Sequence, residues 1–458
     1  MKKQALALCL SCALALSMST PALALRVNTA PGPKPSNNST NASTPSDTGS
    51  LTFSQIGARI EGNNLNIKSA RESLESAKAM DWNAAIREVE DMKDELEFSI
   101  LTMSSSAQAS VANATKALES IKANITDADS LIKMLGPLTE AITGVSTAKT
   151  MAVYIEMQTA SMKANVEALD DQIDDLKQQK KDYTKTLEDT SRQIDFAIDQ
   201  TVTGAETLYI TILSTQLQRE SLVDTLESTK RTAEEMELRY NLGQISQLTL
   251  TQVKNGLVTL ESSLESLDNS IATLKSSLQS LLGDTPNGVL ALTDTPSVTP
   301  SQLILSYSAD LVKAKSNSYT LYASTRSVEK AEDEMNDARS DHGKNSYQFK
   351  MAEHSYQAAI YKDQATIADF ELSFQKLYQA IPPAQTALAV KENDLLYAQQ
   401  SYAAEELKFQ QGNLSQSKLL EAKATVDSAQ RDVAAAQLDL FTAYHNYRQA
   451  VEQGLVGG

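Results

Sequence analysis

Two long stretches place apolar residues at spacings that alternate between three and four. One runs Leu250, Val253, Leu257, Leu260, Leu264 and on to Leu281. The other runs Leu419, Ala422, Val426, Ala429, Val433 and on to Ala450. That period predicts long helices wound left-handed around partners. In the second seam Ala alternates with larger residues, so neighbouring backbones can approach closely. A third seam passes Met162, Val166, Leu169, Ile173 and Leu176 to Ala197. It predicts one very long helix from about Met151 to about Tyr240. Shorter runs at the same spacing start at Trp82, Ile86 and Val89 and at Leu118, Ile121 and Ile125. Leu135-Gly-Pro137 and Gly144 are expected to break this region. Downstream the pattern predicts a helix over 301–340, a turn at 341–345 and a helix over 346–381. Pro382-Pro383 is expected to kink or interrupt that last helix. No apolar alternation of strand length is found. The fold class expected is all-α, built from long antiparallel coiled-coil hairpins with little or no β-strand.

The hairpins turn at a recognisable place. In Glu406-Leu-Lys-Phe409-Gln-Gln-Gly412-Asn-Leu-Ser415-Gln-Ser-Lys-Leu419, Phe409 closes the incoming seam. Gly412 sits where a helix ends in a left-handed residue, which glycine adopts without a Cβ clash. Ser415 can cap the next helix, and Leu414 with Leu419 forms a staple around that cap. The same tip stands earlier, at Glu237-Leu-Arg-Tyr240-Asn-Leu-Gly243-Gln-Ile-Ser246-Gln-Leu-Thr-Leu250.

The two tips are 169 residues apart, and the match extends without a gap over more than forty residues. Tyr209 falls on Tyr378, and Lys254 on Lys423. The chain is therefore an internal duplication. Each half opens on a short motif, Leu51-Thr-Phe-Ser54-Gln55 and Val298-Thr-Pro-Ser301-Gln302, now offset by 247. Repeat 1 thus carries about 78 more residues than repeat 2, and these are assigned to an extra helical segment at about 80–160. The boundaries read 1–24 leader, 25–50 disordered linker, 51–283 repeat 1, 284–300 linker and 301–458 repeat 2.

Composition narrows the function. Among 458 residues there are 16 Gly and 11 Pro, and aromatics make up 5%. That fits long helices. The net charge of −17 excludes a basic footprint for nucleic acid. Both cysteines, Cys9 and Cys12, lie in a leader with a Lys2-Lys3 basic start, an apolar run and an Ala22-Leu-Ala24 cleavage site. An exported protein is expected, cut after Ala24, with no cysteine left for a disulfide or a metal. His342, His354 and His445 have no ligand spacing. No phosphate loop or nucleophile motif is present, so no enzyme activity, cofactor or metal is expected.

The doubled tip, with its basic residue, aromatic, Gly and Ser, followed by a heptad helix and preceded by a leader, resembles the TolC-type outer membrane efflux protein family. The resemblance covers nearly the whole chain after the leader. It implies a homotrimer whose protomers each give two repeats to a hollow α-helical barrel. It implies an export conduit or sleeve in the cell envelope, outside the cytoplasmic membrane, partnered by a membrane-fusion-type adaptor and a pump such as an ABC transporter. Tyr240, Gly243, Ser246, Phe409, Gly412 and Ser415 would receive the adaptor. Lys418 and Glu421 occupy the positions of a lumen constriction. The family's membrane strands have no counterpart here, since repeat 2 has only Asp341 to Asn345 between its helices. The competing expectation is a non-conducting surface coiled-coil spacer or adhesin.

Overall fold

The computed structural model describes residues 49–456. The expected leader and all but the end of the 25–50 linker lie outside the described residues. The chain runs β1 (Ser50–Leu51), α1 (Ile56–Asn63), α2 (Leu65–Lys78), α3 (Trp82–Ala123), α4 (Ala128–Asn241), α5 (Gln247–Leu282), β2 (Ala291–Leu292), α6 (Tyr307–Asn317), α7 (Tyr319–His342), α8 (Tyr347–Gln410) and α9 (Gln416–Gln453). Helix accounts for nearly all of it. The two-residue strands β1 and β2 pair in parallel, Ser50 with Ala291 and Leu51 with Leu292.

Of the described residues, one compact unit comprises 49–73 and 191–456. Its repeat 2 is held by a cluster in which α8 supplies Phe370, Phe374 and Ile381, and α9 supplies Leu440, Tyr447 and Val451. Ala314 of α6 and Leu321 of α7 pack against them. A smaller cluster joins the two repeats, with Ile210 of α4 on Leu438 and Phe441 of α9. Phe53 meets the rings of Tyr209, Phe441 and His445 edge-on. Beside it, Glu206 of α4 takes hydrogen bonds from Gln449 Nε2 at 2.6 Å and pairs with His445 Nε2 at 3.0 Å.

The two opening motifs fold alike. Thr52 with Gln55, and Thr299 with Gln302, form reciprocal capping boxes on short 3₁₀ turns. The 284–300 linker is stitched down rather than free. Ala291 N–H bonds Gly49 O, Phe53 N–H bonds Asp294 Oδ1, and the buried Tyr209 hydroxyl donates to Asp294. Burial and that carboxylate hold the Tyr209 phenol well above its ordinary range.

The second unit is Leu74–Thr190. Here α3 and the first half of α4 form an antiparallel pair. Trp82, Ile86 and Val89 pack on Ile173 and Leu176. Lys93 reaches Asp170 at 2.6 Å, and the Tyr183 hydroxyl donates to Ala77 O at 2.9 Å. The stretch at about 80–160 is helical in both elements.

Four sequence expectations need correction. Neither Leu135-Gly-Pro137 nor Gly144 breaks the chain, because α4 runs through both from Ala128. The break falls earlier, where Asp127 Oδ1 accepts from Ser130 N–H at 2.7 Å and Ser130 Oγ accepts from the N–H groups of Thr126 and Asp127. That cap fixes the helix start, and at the exposed Pro137 water can serve the carbonyl left unpaired. Likewise Pro382 and Pro383 do not interrupt α8, which continues through both to Gln410. Both prolines are exposed, so water can serve the carbonyls they leave unpaired. The expected 301–340 helix is divided at Ser318, whose backbone is extended and whose hydroxyl caps α7. Repeat 1 divides comparably at Asn64, where Oδ1 accepts from the N–H groups of Asn66 and Ile67. Finally, Ser50 belongs to β1, so the linker ends before it.

Candidate docking tips

Each tip is fixed by the same bonds at the same offset. At the first, α4 ends as Gly243 N–H bonds Tyr240 O at 2.9 Å and Gln244 N–H bonds Arg239 O at 2.8 Å. At the second, α8 ends as Gly412 N–H bonds Phe409 O at 2.9 Å and Asn413 N–H bonds Lys408 O at 2.9 Å. This pair of crossed bonds satisfies carbonyls that a helix end leaves open, and it needs a left-handed residue. Gly243 has φ +73° and Gly412 has φ +75°. Ser246 Oγ then accepts from Thr249 N–H at 3.2 Å, and Ser415 Oγ from Lys418 N–H at 3.4 Å. At the staple positions Leu250 is buried and Ile245, Leu414 and Leu419 are half-buried. In the first hairpin Lys254 pairs with Glu237 across the turn at 3.1 Å.

The turn bonds explain the glycines and serines but not the aromatics. Tyr240 remains 37% exposed and Phe409 38%. The first tip also exposes Leu238, Leu242 and Leu248, and the second exposes Leu407. Periodicity alone missed these leucines. At the 169 offset Leu242 and Leu248 correspond to Gln411 and Ser417, so the tips share a backbone and differ in apolar surface. Comparing the copies position by position was the signal that could have found them.

Lys418 and Glu421 lie one turn into α9, both exposed, joined by a 2.7 Å bond from Lys418 Nζ to Glu421 Oε2. That bond, with the carboxylate beside it, raises the Lys418 pKa. The pair therefore presents a local neutral couple rather than a lone acid. Among the described residues no acid or histidine cluster could hold a metal, and no helix is long and apolar enough to cross a membrane.

No family model and no curated relative matches the chain. Among solved structures it is similar to the outer-membrane channel OprN, at 14% identity and a TM-score of 0.46, over 89% of this chain and 90% of that one. It is similar to the outer membrane protein VceC of Vibrio cholerae at 19% identity and 0.41, over 60% and 74%. The MtrE outer membrane channel of Neisseria gonorrhoeae is matched at 13% and 0.37, over 60% and 72%. With every one of these scores below 0.5, the functional reading rests on the tips themselves.

Proposed function

We infer that the protein is a TolC-like export component, a passive helical conduit or sleeve that docks a membrane-fusion-type adaptor through its hairpin tips. Its homotrimer would work in the cell envelope with a pump such as an ABC transporter. One observation carries this reading. Two hairpins of one chain end in the same bonded turn, and both leave large apolar side chains in water at that turn. A turn that only reverses the chain has no use for an exposed Tyr240, Leu242 or Phe409, because covering their remaining apolar surface is favourable. An apolar surface on a rigid turn fits a helical partner. Gly243, Ser246, Gly412 and Ser415 would hold the turns, while Tyr240 and Phe409 would make contact. Lys418 and Glu421 would stand at the narrow part of the lumen.

The direct test is capture of an adaptor hairpin encoded beside this protein. Leu242→Ser with Phe409→Ser leaves the turn bonds intact and is expected to weaken capture at least tenfold. Undiminished capture would remove the tips from the docking role and favour a coiled-coil spacer.

A further inference from the structure

In the Leu74–Thr190 unit, α4 carries two apolar stripes over the same stretch. The inner one is Met134, Leu138, Ala141, Val145, Ala148, Ala152 and Ile155, every member half-buried. Its spacing alternates strictly between four and three, and it continues into the seam that packs on α3. The second stripe is Ile132, Leu135, Thr139, Ile142, Ser146, Thr150, Val153 and Met157, again three or four apart. Ile132 is 73% exposed, Ile142 51% and Met157 70%. No charged residue interrupts it. Its threonines are less polar than they look. Thr139 Oγ1 donates to Leu135 O at 2.7 Å, and Thr150 Oγ1 to Ser146 O at 3.0 Å. These hydroxyls are satisfied within the helix and leave methyl groups outward.

A helix with one apolar seam needs one neighbour, and a helix with two needs two. The inner seam already has α3. The outer stripe extends about 37 Å along the axis and faces water. Its period suits another helix. The surrounding charge decides whose helix. Residues 98–165 contain five lysines and five acidic residues, hence no net charge, in a chain of −17. Two copies brought together elsewhere would repel, whereas here they would not. An uncharged stripe of Ile, Leu, Val, Met and Thr methyls is also complementary to itself, as a symmetric contact requires.

We propose that this outer stripe of α4 is a self-association surface, pairing copies of this chain through the extra segment of repeat 1. It goes beyond tip docking and does not depend on it.

Residues 25–458 hold no cysteine, so single cysteines report contact cleanly. Ser146→Cys lies mid-stripe. Thr147→Cys is the next residue, about 100° around the helix. Under mild oxidation Ser146→Cys is expected to give a disulfide-linked species of twice the monomer mass, at least tenfold more than Thr147→Cys. Adding Ile142→Lys to Ser146→Cys should abolish it without loss of helicity. Equal linkage at both positions, or none at Ser146→Cys, would overturn the proposal. So would protection of Ser146→Cys from maleimide by phosphatidylcholine vesicles without linkage, since the stripe would then belong to lipid.

Discussion

Gly283 stands directly against Asn63: a Cβ added to Gly283 would lie 2.5 Å from the Asn63 carbonyl oxygen. Gly283 ends α5 at φ +77°, and Asn63 ends α1. Beside them Asn64 Nδ2 donates to Leu281 O at 2.8 Å. Repeat 2 builds the same knot. Gly454 ends α9 at φ +69°, a Cβ there would lie 2.7 Å from the Asn317 carbonyl carbon, and Asn317 Nδ2 donates to Val451 O at 3.1 Å. Each repeat thus locks its last helix onto its broken first helix.

Glycines at the knots and at the tips should therefore respond differently to alanine. At Gly283 and Gly454 the new methyl meets backbone as well as an unfavourable φ, and a loss of about 3 kcal/mol or more is expected. At Gly243 and Gly412 nothing lies within 4 Å. Only the left-handed backbone is penalised there, at about 1 kcal/mol. Urea unfolding of the four variants measures the contrast, and equal losses would refute the knots.

Tyr209→Phe should cost about 1–3 kcal/mol, because Asp294 and Leu51 O lose a buried donor while the ring stays packed. Exposed Tyr361→Phe provides the comparison and should be neutral. Thermal unfolding would separate them.

Asp199 gives a pH signature. Burial, then the charges of Asp195 and Glu61, push its carboxyl from 3.8 up to about 6. Between about pH 4 and 6 the folded protein holds a proton that the unfolded chain has released. This group's contribution to stability is therefore full below pH 4 and is lost as pH rises through 6. Asp199→Asn should stabilise the protein at pH 7 by about 1–2 kcal/mol, allowing for partial solvent screening. It should change little at pH 4. A gain of the same size at both values would show that charge is not the cause.

Pro137 sits inside α4, on an exposed position as the tenth residue of the helix. Replacing it with alanine should recover up to about 3 kcal/mol locally. Hydrogen exchange around residues 128–145 should slow. Unchanged exchange would mean that the helix begins after the proline.

How much of this was legible in the sequence depends on how local the cause is. The seams and tips were, since heptad spacing, an αL glycine and a cap serine act within one turn of helix. The 169 offset even placed matching bonds, with Gly243 on Gly412 and Arg239 on Lys408. The breaks were harder. Pro137, Pro382 and Pro383 suggested interruptions because proline removes a helical bond, but long flanking seams outweigh one lost bond at an exposed position. Asn64 and Ser318 gave little local warning, because the helices they break are held by glycines and carbonyls more than 130 residues away. The exposed leucines of the first tip were visible as residues. Their exposure followed only from the direction in which the turn points them.

If the proposed conduit component closes into a ring, the mass of residues 25–458 in solution reveals it. Light scattering of the Ile142→Lys variant, whose α4 stripe no longer pairs copies, should give three times the monomer mass in detergent-free buffer, with almost purely helical circular dichroism. A helical monomer at the same concentration would rule out the ring.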